Sequence, residues 1–469
     1  MLSKFYKISF LLLFTVLSLP QAAQVTTPLP HREGQGGESS GGGSSPSLTL
    51  SQLRDSALAT NIAVRQARLH VDAATEQRRE AFTKYFPNVS AVGAWFNANR
   101  PMDKMDINPQ EYISPELGQM MAESLPAEVL TSINAPMTMT MMKNGAIASI
   151  SAVQPVFAGG QIVNGNRLAK VGEEASRLQV QLAENEVAEQ VEQTFWQLVS
   201  MEEKTRTLDA VSAMLKSIEG DVQTAVNAGV ALRNDLLQVQ IRQNEIESQR
   251  LKLSNGRSLV KLLLAQYCGL RDTSFTITYN HEAATVTPQN HEQALLGTSE
   301  YQLLEKNVEV TALQRKMEVG KNLPSVAVGA AYNYHNLLEN DRHFGMVYAT
   351  VSVPLSDWWG GSHAIRRKKI AEQEAQEQLT DRSKLLKIRM QKAWNDVIEA
   401  ESQLALATRS ENQAEENLRL HRNTYQAGTA TMSQLLEAQL LYQQALDKKT
   451  DAYIALQLAA LAYRISTGN

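Results

Sequence analysis

Asn227–Gln240 reads NAGVALRNDLLQVQ, and Gln426–Gln439 reads QAGTATMSQLLEAQ. With Gly229 set on Gly428, Leu236, Leu237 and Gln240 fall on Leu435, Leu436 and Gln439. Each copy lies between two long helical patterns. Each reads as a tight reversal, in which Ala-Gly ends one helix and a polar residue starts the next. Two such tips, roughly 200 residues apart, point to an internal duplication.

The flanking helices are long and narrowly amphipathic. Gln161 to Ala228 is one helical pattern, roughly 100 Å long at ~1.5 Å per residue. In its second half Leu208, Val211, Leu215, Ile218, Val222 and Ala225 alternate three and four residues apart, which is a coiled-coil seam. Leu236 to Tyr267 runs back. In the second copy WGGSHAIRR opens a helix to Tyr425 with the seam Val397, Ala400, Leu404, Ala407, Glu411, Ala414, Leu418, His421 and Tyr425, and Leu435 to Ile465 returns. Such helices, polar outside their seams, do not fill a thick core. They suit a single-layer ring of helix pairs around a water-filled lumen.

Each helix pair is preceded by two strand-like runs. NVSAVGAWFNA and GAIASISAVQPVF bracket Asn99–Lys143, which holds eight of the fifteen methionines together with Pro101, Pro109, Pro115, Pro126 and Pro136, so a continuous helix is not expected there. SVAVGAAYNY and FGMVYATVSVP form the second hairpin. Val326, Val328, Ala330, Tyr332 and Tyr334 share one face, and Ser325, Ala327, Gly329, Ala331 and Asn333 the other. Strands of about ten residues cross a bilayer when tilted. Landmarks recur in both halves: Pro87 with Pro324, Pro155 with Pro354, Gly159 and Gly160 with Gly360 and Gly361, and Trp196 with Trp394. Ser47 to Phe86 and Tyr301 to Lys321 read as the leading helices, and SFTITY as a short strand.

The expected organisation is a signal peptide at 1–23, a flexible Gly/Ser-rich linker at 24–47, and a first repeat at 48–270 with a long loop at 99–143 and its tip at 227–235. A connector at 271–299 leads to a second repeat at 300–469, with a hairpin at 325–354 and its tip at 426–434. Lys4 and Lys7, the apolar run Ile8 to Leu19, and Ala22 and Ala23 carry the export signal. The formal net charge of −4 offers no basic face for nucleic acid. Cys268 is the single cysteine, so no intramolecular disulfide forms, and its apolar surroundings mark it as a buried core residue. No nucleophile elbow, phosphate loop or zinc-protease helix is present, so neither an enzyme nor a cofactor is indicated. The methionine-rich loop reads as adaptable apolar surface, and His335 and His343 as solvated loop residues rather than a metal site.

Four strands cannot close a barrel alone, so membrane strands require several protomers. The chain resembles the TolC-like outer-membrane efflux proteins. The evidence is the twofold helix–hairpin–helix repeat, the QPVFAGG and VPLSDWWGG junctions, and the NAG and QAGTAT tips. The resemblance implies a mainly α fold with a membrane β-barrel portion: a homotrimer with a twelve-stranded barrel in outer-membrane lipid and a long α-barrel in the periplasm. It implies a passive exit duct for efflux or secretion, met at its tips by a periplasmic adaptor and powered by an inner-membrane pump such as an RND or ABC transporter. The docking tips would be Ala228, Gly229 and Val230 with Ala427, Gly428 and Thr429. The periplasmic gate would be Asp235, Tyr425, Glu437 and Gln434. Two positions depart from the family: Ala430 replaces an arginine and Gln434 replaces an acid, which leaves Arg233 or Arg422 as substitutes. A soluble periplasmic coiled-coil scaffold or adaptor is the alternative reading.

Overall fold

The computed structural model describes residues 46–100, 103–133, 135, 137–141, 144–336, 341–355 and 357–468. The expected signal peptide, and all but the end of the linker, lie outside the described residues. Pro46 to Asn469 form one compact unit.

The unit begins with β1 (Ser47–Thr49), α1 (Leu50–Thr60) and α2 (Ile62–Thr83). The single helix expected over Ser47 to Phe86 is therefore two. Asn61 separates them with an extended backbone, and its side-chain oxygen accepts the Ala63 N–H at 2.9 Å to restart the helix. The apolar spacing runs across this break, so periodicity alone does not reveal it.

Next come β2 (Asn88–Asn97), β3 (Asp103–Ile107), α3 (Pro115–Ser124), α4 (Ala127–Ile133), β4 (Met137–Met141) and β5 (Asn144–Ala158). The proline-rich insert is a folded extension rather than a bare loop. β3 pairs antiparallel with β4, and Pro115 starts α3 behind the Ser114 cap. Then follow α5 (Gln161–Asn227), α6 (Arg233–Tyr267), β6 (Thr276–Thr278), α7 (His291–Gly297), α8 (Ser299–Lys321), β7 (Ser325–His335), β8 (Arg342–Ser352), α9 (Asp357–Gln426) and α10 (Met432–Thr467). β6 pairs in parallel with β1, tying the connector to the start of the unit.

The four long strands make one antiparallel sheet in the order β2-β5-β7-β8. Its register places Val89, Trp95, Ile150, Val328, Tyr332, Val347 and Val351 on one face, and all are exposed. The opposite face is mixed. Val92 and Met346 share it with Ser90, whose hydroxyl lies 3.0 Å from that of Ser151, and with Ser149, which donates to Asn333 Oδ1 at 2.7 Å. The second hairpin thus has the two-faced pattern expected of it. His335 and His343 are not the solvated loop residues expected: His335 ends β7 half-buried, His343 lies in β8, and the register sets them on opposite faces.

The predicted α5 seam is buried up to Val222, whereas the α9 seam is buried only at Val397, Ala400 and Leu418 and half-buried at Leu404, Ala407, Glu411, Ala414, His421 and Tyr425. Leu208, Val211, Leu215, Ile218 and Val222 are each under 5 % exposed, as is Val397 on α9. The duplicated tryptophans do duplicate work. Trp196 meets Tyr453 edge-to-face at 5.9 Å, and Trp394 meets Tyr463 at 5.1 Å, both tyrosines on α10. Cys268 is fully buried as expected; its Sγ donates to Leu53 O at 3.3 Å, and burial pushes its thiol up to about 12. The glycine pairs at the junctions are less alike than their spacing suggests. Gly159 and Gly160 are left-handed and precede α5, whereas Gly360 and Gly361 lie inside α9.

Sheet and helices meet at a contact without room for side chains. A Cβ on Gly159, itself at φ +59°, would lie 2.0 Å from the carbonyl oxygen of Gly320 at the end of α8. Gly159→Ala should therefore destabilise the protein by about 2 kcal/mol or more, from strain and clash together. Gly172→Ala, in open helix surface, should instead gain up to about 1 kcal/mol. Thermal unfolding followed by helical circular dichroism checks both signs.

Candidate functional site at the paired helical tips

Both reversals are built from the same backbone device. At the first, Val230 N–H donates to Ala225 O at 2.9 Å and Gly229 N–H to Val226 O at 3.0 Å. At the second, Thr429 N–H donates to Thr424 O at 2.9 Å and Gly428 N–H to Tyr425 O at 2.9 Å. These are two Schellman motifs in register, with Gly229 (φ 78°) and Gly428 (φ 73°) at the left-handed position that glycine tolerates. Ala228, Gly229, Val230, Ala427, Gly428 and Thr429 are all exposed.

The returning helices start by different chemistry. Thr431 caps α10 and exchanges hydrogen bonds with Gln434, whose Oε1 accepts the Thr431 N–H at 2.9 Å. The first tip departs from expectation here, because the residue before α6 is the apolar Leu232. Asp235 makes up the deficit, its Oδ2 accepting the Leu232 N–H at 3.3 Å. Asp235 and Gln434 thus hold equivalent positions, six residues beyond their glycines. Both are at least partly engaged with their own helix ends.

A shared apolar cluster joins the two tips. Ile218, Val222, Leu236 and Val239 from the first repeat pack with Leu418, Met432, Leu435 and Ala438 from the second. Tyr425 lies half-buried against this cluster. Burial first, and then the negative charges of Asp235 and Asp221, push its phenol above the ordinary tyrosine range. Tyr425 and Asp235 are thus brought within electrostatic reach across the repeats, although no hydrogen bond joins them among the described residues. Glu437 is exposed on α10 and makes no ion pair among the described residues. Arg233 and Arg422, the candidate substitutes for the arginine missing at Ala430, are also exposed and unpaired among the described residues.

Two turns into the helices is a polar link that the sequence reading did not single out. Arg242 on α6 donates through Nε to Gln439 Oε1 at 3.1 Å and through a terminal nitrogen to Gln443 Oε1 at 2.8 Å, both on α10. Its other terminal nitrogen reaches Glu245 at 2.7 Å, and its side chain is only 11 % exposed. Gln443 in turn donates to Gln249 at 3.0 Å. Gln439 is fully buried, and its Nε2 has no partner among the described residues. A signal was present in the sequence, because Gln439 repeats Gln240. That copy donates instead to Glu219 on α5 at 3.0 Å, so one glutamine pins each returning helix to a different neighbour.

With this geometry in place, relatives give the architecture a class. Residues 292–469 match the model of the outer membrane efflux protein family. No curated protein matches the chain in sequence. Among solved structures, the outer membrane protein VceC from Vibrio cholerae is 15 % identical, with a TM-score of 0.72 over 90 % of this chain and 96 % of that one. The CmeC outer membrane channel of Campylobacter jejuni is 14 % identical, with a TM-score of 0.71 over 89 % and 85 %. The open state of the Neisseria gonorrhoeae MtrE outer membrane channel is 13 % identical, with a TM-score of 0.70 over 90 % and 89 %. The chain has the fold of TolC-like outer-membrane channels, and its second repeat carries the sequence signature of the outer membrane efflux protein family.

Removing the Arg242 side chain strips Gln439 of its one side-chain hydrogen bond. Arg242→Ala should cost about 1–3 kcal/mol locally and speed amide hydrogen exchange in Met432 to Gln443. Exchange in α8 should be unchanged.

Proposed function

We propose that the protein is the outer-membrane exit duct of a tripartite efflux or secretion system, conducting substrate passively from a periplasmic pump and adaptor assembly to the outside. The observation that carries this reading is the union of two parts in one duplicated chain. One is a four-stranded sheet with an apolar exposed face; the other is a pair of helical hairpins, the longer arm of each about 100 Å. Among the described residues no helix is long and apolar enough to cross a membrane, and this reading assigns the membrane to the sheet. Ten- and eleven-residue strands such as β2 and β8 match the band of a tilted outer-membrane strand. Aromatic rings flank that band. Phe82, Tyr85, Phe86 and Trp359 stand exposed at the helical end, and Trp95 and Tyr332 nearer the far end, as interfacial girdles do.

β2 and β8 each have one unpaired edge. Three copies joined edge to edge would close twelve strands, which is the basis for assigning a homotrimer. The α-helical hairpins then extend into the periplasm, and the exposed glycine tips are where an adaptor would dock beside an RND or ABC pump. Closing of this mouth is assigned to Asp235 and Tyr425, held by the shared tip cluster, with Arg242 fastening α6 to α10. Gln434 and Glu437 face the same end, and a ring of three Glu437 carboxylates would favour cations in the lumen.

Cell fractionation and planar-bilayer recording test the reading together. The protein should partition with the outer membrane and conduct ions as a trimer. A soluble protein, or a folded trimer silent even after the tip contacts are broken, would rule it out. Asp235→Ala removes both the cap of α6 and the charge beside Tyr425, and should raise conductance several-fold. Arg242→Ala should act in the same direction, and an unchanged current in both variants would remove these residues from the gate.

A further inference from the structure

Just beneath the sheet, α2 and α5 leave a cleft of about 750 Å³ between them. Arg78 and Arg79 line it from α2, and Arg167 and Lys170 from α5, against the single carboxylate of Glu173. That carboxylate is already neutralised. It is buried, with Arg78 at 2.9 Å and Arg177 at 2.5 Å. Arg79 pairs with Glu76 at the surface. Lys170 is 3.8 Å from Glu174, which Lys306 already holds at 2.6 Å. Arg167 is exposed and makes no ion pair among the described residues. The cleft therefore has positive charge in excess, most of it on its α5 wall.

Its sheet-side end is aromatic. Phe82 and Tyr85 line it, with ring centroids 5.7 Å apart, and Phe86 adjoins Phe82 at 5.6 Å. These rings are 55 %, 40 % and 55 % exposed. Adjoining rings left open in this way are costly in water but settle well at a membrane interface. Arg78 and Arg79 precede Phe82 by four and three residues, about one helical turn below it. Exposed cations one turn beneath an interfacial girdle lie at headgroup level.

We propose that this cleft binds the phosphate headgroup of an anionic phospholipid in the periplasmic leaflet of the outer membrane. Arg167 and Lys170 meet the phosphate, and Arg78 and Arg79 flank it. The acyl chains rise past Val163, Phe82 and Tyr85 toward the apolar face of the sheet. A phosphate attached to an apolar tail matches both ends of the cleft, whereas free phosphate matches only one. The assignment rests on the membrane placement proposed for the sheet.

The test uses the full chain purified in neutral detergent and exposed to equal phosphatidylglycerol and phosphatidylcholine, with retained lipid counted by native mass spectrometry. Phosphatidylglycerol should be retained in preference. The double variant Arg167→Ala, Lys170→Ala should lose that retention on the order of tenfold, while Arg419→Ala, an exposed site far along α9, should not. Both residues of the double variant are exposed, and helical circular dichroism confirms that it folds. Equal retention of the two lipids, or no loss in the double variant, overturns the proposal. Complete displacement by millimolar inorganic phosphate assigns the cleft to a free anion and overturns it too. Fractionation of the same cells separates the two readings. A soluble protein removes the duct itself, whereas a membrane-bound protein without lipid preference removes only the lipid site.

Discussion

Hydrocarbon offers no partner for a backbone N–H or C=O, and on the proposed placement of the sheet this constraint governs the molecule. The sheet satisfies its interior strands, because β5 and β7 pair on both sides. β2 and β8 each leave a row of amides and carbonyls open on one edge. Together with an apolar face carrying Val89, Trp95, Ile150 and Val347, those edges can persist in a bilayer only if each finds the other on another copy. On the proposed membrane placement, assembly follows from backbone chemistry, and the helices take their ring arrangement from the sheet above them. A lone protomer explains neither the exposed apolar face nor the polar surfaces of helices as long as α5 and α9.

The helical part solves a different problem. The long helices carry narrow apolar stripes on otherwise polar surfaces, so cohesion is concentrated in narrow seams and a few polar clasps. The seam from Leu208 to Val222 is nearly solvent-free, while α5 has few other fully buried positions outside the Phe195–Trp196 region. Between seams, charged pairs such as Lys204–Asp451 at 2.6 Å and Arg464–Glu192 at 2.9 Å connect distant stretches of chain. At the tips the seam ends in one cluster shared by both repeats. Under the proposed gating role, closing and opening the mouth would redistribute a small number of contacts rather than melt a core.

Most of the architecture was legible because it is periodic. The three–four seam of α5, the alternating faces of β7 and the glycine reversals are local patterns, and each appears where the spacing puts it. What escaped was non-periodic. The Asn61 break hides within a continuous apolar stripe. The proline-rich insert gains its order from the pairing of β3 with β4. Arg242 reads in sequence as one more surface arginine, and only the packing of α6 beside α10 shows that it is nearly buried. The tip residues were found through alignment of the repeats and family resemblance. Their shared capping roles, with Asp235 and Gln434 doing equivalent work, needed coordinates.

Cys268 has a consequence for how such a chain is made. On the proposed outer-membrane placement the chain passes through a compartment that oxidises thiols, where a second cysteine would offer the nascent chain wrong bridges to form. This sequence has none to pair with. Once folded, its one thiol is fully buried beside Leu53 and held protonated by its surroundings, so oxidants and neighbouring molecules have no thiolate to attack. The native protein is therefore a chemically silent background: a cysteine placed at either tip or on the sheet would be the sole reactive thiol, and its labelling would report that position alone.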